Sequence, residues 1–555
     1  MNKFYPWFRS DNLNGFIGLA IGLFAVLTLL YSVKFMAGHR RLIEYYACIV
    51  LTAVASLLVI FSNHLIILLA SWGFLGLTLY LLINMGDDKA SAAAKKALII
   101  VGGTDALMLL GIGIIYYLTG TFQMDKIKIS LSSNGFLLPL CAYLCIAVAC
   151  FAKAGAMPFH SWIPDCAQSA PVPVVAYLPA SLDKLLGIYL LARISLDLFV
   201  INNAIISIIL MLSGAFTIIA AVMMALVQHN MKRLMGYHAV SQVGYMILGI
   251  GTANPIGIAG GIFHMLNNAV YKSCLFFSGG NVEYRANSSE LDQLGGLARV
   301  MPLTYISCLI ASLSISGVPP FNGFVSKWMV YQGIINNWQM AENRWQMIVP
   351  ILCLIAAMFG SGLTLASFMK LIHAVFLGQP QAKQRANLKE VAWQMWVPCI
   401  TLAIICVVFG VFANQLPLKY FILPAVAGVG FSGAWYAGFS TLLIIIGLAL
   451  GLFIFKFSKE KLNLRQDRAF IGGEDMDLRI HPVTGTEFYN TVSEFGALKK
   501  IYSRAEAGFF DIYEQGKKLI SAAGKVFQYL HNGILPTYLV WMLLGMLGIF
   551  FILLR

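Results

Sequence analysis

The chain has 555 residues, of which 59% are hydrophobic and only 11% charged, with a formal net charge of +14 and a mean hydropathy of +0.78. Soluble globular chains carry about 25% charged residues, so this composition excludes one. The positive charge sits in loops beside apolar runs, as orientation in a membrane requires, and this sets nucleic-acid binding aside.

Apolar stretches of about 20 residues, the length that crosses ~30 Å of hydrocarbon as a helix, recur from Phe16 to Leu554. Spans are predicted at 15–37, 42–62, 64–85, 94–118, 134–152, 174–195, 203–227, 233–252, 256–280, 302–318, 323–338, 347–377, 392–414, 436–457 and 534–554. Segments near 158–168 and 416–430 are shorter. Barrel strands would alternate polar and apolar residues, and these runs do not. The expected fold is therefore an all-α polytopic membrane protein with about 14 transmembrane helices. The first run is too long for a cleaved signal, and no small-residue cleavage site follows it.

From Lys456 to Gly533 the chain turns polar, and then a last span closes it. Residues 458–487 read as irregular. In 488–531, apolar residues from Val492 to Leu530 recur at three- and four-residue steps, which predicts one amphipathic helix. Such a helix would be ~60 Å long and too polar to span, so it should lie along the membrane surface. Gly508, Gly516 and Gly524, at eight-residue steps, read as points of close packing.

Charged residues interrupt the apolar runs, where each costs at least ~2.5–3.5 kcal/mol on insertion scales. In chain order these are Asp105, Lys153, the adjacent pair Asp183 and Lys184, Lys232, His264 and Lys272 on one helix, Lys327, and Lys370 with His373. His264 and Lys272 are eight apart and share a helix face; Lys370 and His373 are three apart. Asp183 and Lys184 point in different directions, so each needs a partner on another helix. A buried lysine beside a movable acid can switch between holding and releasing a proton, and a set of such groups reads as an ion relay. The bland reading, lysines snorkelling from loop ends, carries most weight at Lys232.

Two helix breaks carry lysines. "KAGAMPFHSW" holds Lys153, Gly155, Pro158 and Phe159. "SGVPPFNGFVSKW" holds Pro319, Pro320, Phe321, Gly323 and Lys327, with the lysine on the other side of the Pro-Phe. Broken helices at membrane depth occur where they are buried or line a water-filled cavity. The ten cysteines lie in or beside apolar runs with no Cys-x-x-Cys and no metal-ligand spacing, so they read as core residues. No catalytic constellation, cofactor site or metal site is expected in this chain.

"KAGAMPFHSWIPD", "APVPVVAYL", "NMKRLMGYHAVSQVGYMILGIG", "IFHMLNNAVYKSCLFFSGGNV" and "GFVSKW" together resemble the antiporter-like subunits of respiratory complex I. That superfamily includes the large subunits of Mrp-type antiporters and of energy-converting membrane-bound hydrogenases. The tail resembles that of the largest, distal subunit. The resemblance implies two inverted five-helix repeats with discontinuous helices, and a C-terminal lateral helix followed by a final span. It implies N-terminal spans over 1–92, a first antiporter-like bundle over 93–200 and a second over 201–380. C-terminal spans over 381–457, a polar linker and lateral helix over 458–533 and an anchoring span over 534–555 would follow. Lys153 matches the pump lysine of the first bundle, Lys272 and His264 the central connecting pair, and Lys327 the lysine of the second break. Lys232 and Asp105 fall on other familiar polar positions.

The departures are specific. Relatives carry a glutamate after the tryptophan of "LASWGFLGL", paired with the pump lysine; here it is Gly73. A family histidine is Pro179 and another is Asn268. The partner of Lys153 is then expected to be Asp183 or Asp105. The chain is expected to begin where relatives have their third span. The implied function is a proton- or sodium-translocating subunit of a redox complex in a prokaryotic inner membrane. Its partners would be other antiporter-like and small membrane subunits, lipids and, indirectly, a peripheral redox arm. Iron–sulfur, flavin or nickel–iron cofactors belong to those partner subunits. The alternatives are an Mrp-type Na⁺/H⁺ antiporter subunit, an ion-coupled inorganic-carbon uptake subunit, and a scaffold that no longer pumps.

Overall fold

The computed structural model describes residues 7–131, 137–200, 204–341, 344–378, 388–431, 437–457, 486 and 490–554. Long apolar runs leave the backbone no water to bond, so it bonds to itself, and the described chain is mostly helix. Helices α1 (Asn12–Phe35), α2 (Leu42–Phe61), α3 (Leu65–Ile83) and α4 (Ala90–Thr119) come first. Each buries one face and leaves apolar residues such as Leu19, Val26, Leu109 and Tyr117 exposed on the other. A helix that meets lipid can keep such a face bare.

The first break follows. α5 (Leu137–Ala154) stops at Gly155, and α6 (Trp162–Ser169) and α7 (Val172–Tyr177) continue after it. A π-turn at Leu178–Leu182 joins α7 to α8 (Asp183–Arg193). Gly155 has φ +83°, a conformation that a side chain disfavours, and a Cβ there would lie 1.9 Å from the Ile163 Cδ1. Then come α9 (Ala204–Leu226), α10 (Met231–Gly251) and α11 (Pro255–Ala286). The second break lies between α12 (Pro302–Ser316) and α13 (Asn322–Gln339), again at a left-handed glycine, Gly317 with φ +79°. α14 (Arg344–Ile372), α15 (Trp393–Val411) and α16 (Ala437–Phe457) complete the bundle, and a short α17 (Asn490–Glu494) follows.

Ten of the described helices are long and apolar enough to cross a membrane. α10 and α11 are long enough but carry too many polar residues to count among them. Their position explains this: α11 is buried continuously from Ile256 to Val282. Its His264, Asn267, Asn268, Lys272 and Asn281 therefore face protein on every side and never meet lipid. α9 reaches α10 through paired glycines; a Cβ on Gly244 would come within 2.5 Å of the Gly214 carbonyl oxygen.

A ring of four charges ties the start of α1 to the end of α8. Arg193 bonds Asp11 and Asp197, each at 2.7 Å, and Arg9 bonds the same two carboxylates, each at 3.0 Å. Burial alone would raise the Asp11 carboxyl, but the Arg193 guanidinium outweighs it and holds the group below its ordinary value. The stabilisation this gives is present above the ordinary carboxylate pKa. It is lost as pH falls through the lower folded value.

The tail is a second unit, from Gly496 to the C-terminus, and it corrects the expectation of one continuous surface helix. α18 (Gly496–Glu506) and α19 (Ile512–Leu530) are separated at Gly508, which has φ +73°, and α19 restarts with Asp511 capping the Tyr513 N–H. The final span, α20 (Leu535–Leu553), follows. Most of the linker 458–487 lies outside the described residues.

Replacing Gly244 by alanine forces α9 and α10 apart and is expected to cost about 1–3 kcal/mol. Thermal unfolding in detergent checks it. Gly103→Ala, where a Cβ meets nothing within 4 Å, serves as the control and should not lower the midpoint.

Candidate ion-translocation line

Lys153 occupies the last turn of α5 and is fully buried. Its amine donates to the Trp72 carbonyl at 3.4 Å and lies 4.8 Å over the Trp72 ring. The two carboxylates whose charges act on it are Asp183 first and Asp105 second, although neither comes within ion-pair distance. Gly187 lets α8 pack on the end of α5, where a Cβ would lie 2.8 Å from the Cys150 carbonyl oxygen. This close approach delivers Asp183 and Lys184 to the break. Lys184, also fully buried, donates to the carbonyls of Ala154 at 3.3 Å and Pro179 at 2.5 Å. The position of the family glutamate, Gly73, is exposed and faces open space. A carboxylate built there would start on the outer face of α3.

Lys272 on α11 donates to the Met235 carbonyl of α10 at 2.9 Å and lies 5.4 Å over the Phe368 ring. The charge of Lys184 on α8 acts on it. One turn along α10 from Met235 is His238, fully buried, its Nε2 2.7 Å from the Ser367 hydroxyl. The charges of Lys272, Lys327 and Lys370 all act on this ring.

Lys327 on α13 donates to the Ile315 carbonyl at 2.8 Å and to the Ser361 hydroxyl at 3.0 Å, and lies 4.6 Å over the Tyr245 ring. Ser361 is a hub, 2.9 Å from the Tyr245 hydroxyl and 2.8 Å from that of Tyr331. His264 stands near it on α11. Its Nδ1 is 2.9 Å from the Ser326 hydroxyl, and its Nε2 is 3.1 Å from the Gln242 side-chain oxygen. Lys370 donates to the carbonyls of Leu226 at 2.7 Å and Gln228 at 2.8 Å.

The sequence-predicted residues thus sort into three groups. Asp105, Lys153, Asp183, Lys184, Lys272, Lys327 and His264 follow one another through the interior, and Lys370 joins through His238. Lys232 stands apart at one end of α10, paired with Glu283 at 2.7 Å. His373 is exposed in the π-turn His373–Leu377 and does not share the buried face of Lys370. The turn begins at His373, so the regular three-residue spacing no longer holds there. Sequence reasoning missed His238, Glu283, Ser361 and the half-buried pair Lys96–Asp165 at 2.6 Å. His238 was within reach: it is the histidine in "LMGYHAVSQV", in a stretch that is buried throughout.

Several polar atoms along the line have no hydrogen-bond partner: Asp105 Oδ1, Asp183 Oδ2, His238 Nδ1, Gln242 Nε2 and Asn268 Oδ1. Buried polar atoms are almost always paired, with protein or with ordered water. Water can therefore bridge the lysines where side chains do not touch. Among the described residues no cluster of His, Cys, Asp or Glu has the geometry to hold a metal ion.

Residues 62–355 match the NADH:quinone oxidoreductase/Mrp antiporter transmembrane family, over more than half of the chain. The chain belongs to that family. It is 28% identical to hydrogenase-4 component B of Escherichia coli, over 74% of this chain and 63% of that protein. It is 31% identical to Na⁺/H⁺ antiporter subunit A1 of Staphylococcus epidermidis, over 70% of this chain and 50% of that protein. The chain thus spans half to under two thirds of the length of these relatives. Its fold matches a chain of the membrane-bound sulfane sulfur reductase, an archaeal respiratory membrane complex, with a TM-score of 0.82. That match covers 99% of this chain and 90% of the other at 22% identity. The protein is thus an antiporter-like membrane subunit of the complex I, hydrogenase and Mrp superfamily.

Glu283→Gln removes the partner of a buried ammonium and is expected to destabilise the fold. The Glu283 side chain keeps 28% of its exposure, so solvent screening limits the loss to roughly 1–3 kcal/mol. Thermal unfolding of the variant checks the value. Lys232→Met/Glu283→Gln together should recover part of it.

Proposed function

We propose that this chain carries protons through the membrane part of a redox-driven, hydrogenase-like complex, along the buried line from Asp105 to His264. The observation that carries the reading is that buried charges act on one another from Asp105 and Asp183 at Lys153, through Lys184 to Lys272, and that Lys272 and Lys327 both act on His238. A proton gained at one amine raises the energy of a proton on its neighbour, so protonation can advance stepwise. In this reading the two breaks belong to two inverted five-helix bundles, over 93–200 and 201–380, and Asp183 with Asp105 replaces the family glutamate. The electron-transferring centres, iron–sulfur, flavin or nickel–iron, sit in partner subunits, and the complex lies in a prokaryotic inner membrane. The fold match to a respiratory membrane complex over nearly the whole chain supports a redox complex. A second reading, an Mrp-type subunit exchanging Na⁺ for H⁺, is supported by the Na⁺/H⁺ antiporter relatives.

Arginine at Lys272 keeps the charge but cannot release its proton, because its pKa exceeds ~12. Lys272→Arg should fold and assemble, yet lose at least about ten-fold in proton movement, which corresponds to ~1.4 kcal/mol on the rate-limiting step. A pH-sensitive dye in vesicles at matched redox turnover reads this. Full pumping by the variant would refute a protonation change at Lys272.

The tail, in the same reading, braces neighbouring subunits. Deleting 488–555 should weaken assembly on native gels, and a normally assembled, pumping complex without it would rule that role out.

A further inference from the structure

At the end of the bundle where α1 begins, α8 ends and α11 begins lies a cavity of about 440 Å³. That volume is in the range of small-molecule sites, roughly 300–1,000 Å³. Leu13, Leu196, Ile258 and Val426 line its apolar part, and Arg193 and Asp197 its charged part. The π-turn Ile194–Leu198, which follows α8, carries both Leu196 and Asp197 to it. Ala253, also on its wall, has φ +55°, a left-handed conformation that an alanine keeps only where its surroundings impose it. Trp7 and Phe8 stand exposed just before Arg9, and such aromatic residues mark the level of lipid headgroups.

The ring of four charges holds α1 to α8, and alone it would mean no more than that. Its geometry at the cavity goes further. Both guanidiniums bond the same Asp197 oxygen, Oδ2, at 2.7 Å from Arg193 and 3.0 Å from Arg9. A carboxylate accepts on both oxygens, so Oδ1 remains for a further donor. Arg193 Nη1 carries two N–H groups and gives one to Asp197. An acceptor and a donor thus stand together on the cavity wall, in a ring whose two positive and two negative charges cancel. A purely anionic ligand would be repelled by Asp197, and a purely cationic one by Arg193. A ligand that carries both charges satisfies both. The apolar walls ask that the same ligand have hydrocarbon, and Leu196, 39% exposed, opens the cavity towards the outer surface of the bundle.

We propose that this cavity binds one phospholipid with a zwitterionic, primary-ammonium headgroup, a phosphatidylethanolamine. Its ammonium donates to Asp197 Oδ1, its phosphate accepts from Arg193 Nη1, and its acyl chains run past Leu196 and Ile258 into the bilayer. The quaternary headgroup of phosphatidylcholine has no N–H to give Asp197 and binds less well. The bound lipid joins α1, α8 and α11 at one membrane surface. The site does not depend on which ion the line of lysines carries.

The photoreactive residue p-benzoylphenylalanine in place of Leu196 tests it. The whole complex is reconstituted into vesicles of equal parts phosphatidylethanolamine, phosphatidylglycerol and phosphatidylcholine. Illumination joins the probe to what lies against it, and mass spectrometry of the labelled peptide identifies the lipid. Phosphatidylethanolamine adducts should exceed each of the others at least about three-fold, the discrimination that one partly screened ion pair provides. The same probe in place of Leu19, on the exposed face of α1, should give adducts that mirror the vesicle composition. Asp197→Asn leaves the ring with a net positive charge and should turn the preference to phosphatidylglycerol, a change that a loosened fold would not produce. Ala427→Trp fills the cavity without touching the ring and should bring the Leu196 adducts to the Leu19 pattern. It decides the matter if the Asp197→Asn complex assembles poorly. Wild-type adducts at Leu196 that mirror the vesicle composition, or that join the probe to a protein chain, would overturn the proposal. So would an unchanged phosphatidylethanolamine preference in either variant.

Discussion

Every lysine in the interior line is held by a backbone carbonyl. Lys153 bonds Trp72, Lys184 bonds Ala154 and Pro179, Lys272 bonds Met235, Lys327 bonds Ile315, and Lys370 bonds Leu226 and Gln228. Among the described residues, none of Lys153, Lys184, Lys272 and Lys327 has a carboxylate within 4.0 Å. A carboxylate at contact would favour the charged amine strongly and fix it. A carbonyl dipole holds the same amine in place with a weaker preference, so the proton can be lost without leaving a bare anion in the interior.

This constraint accounts for the helix breaks. The last carbonyls of a helix have no partner within it. Ala154 closes α5, Ile315 lies at the end of α12, Leu226 closes α9, and Pro179 sits in a π-turn. Each free carbonyl is turned inward to a lysine instead of to water. The bends at Gly155 and Gly317 therefore do more than admit a cavity: they supply the acceptors that let an ammonium be buried. The same constraint explains α11, whose polar residues are tolerated because nothing around it is lipid.

Much of this was legible in the sequence, and the remainder depends on contacts between distant segments. The breaks were readable because Gly and Pro interrupt apolar runs, and Lys153, Lys272 and Lys327 because charge in such runs is costly. Asp183 and Asp105 were readable as candidate partners of Lys153 because no acid lies near Trp72 in the sequence. Ser361 gave no signal; a serine in an apolar helix is common, and only the fold brings Lys327, Tyr245 and Tyr331 to it. His373 looked like a neighbour of Lys370 because helical spacing was assumed through a π-turn. In the tail, the hydrophobic period continues through Gly508 and hid the break, although Asp511 three residues later is an N-cap that marks a new helix.

Lys184 is the member on which the account turns, since among the described residues its charge acts on both Asp183 and Lys272. The most direct measurement is proton translocation per redox turnover in vesicles carrying the Lys184→Met complex, with assembly and electron transfer shown to be intact. Methionine fills the space of the lysine stem and cannot carry a proton. The account predicts that translocation through this subunit stops although Lys153, Lys272 and Lys327 are all present. Translocation at the wild-type ratio would contradict it.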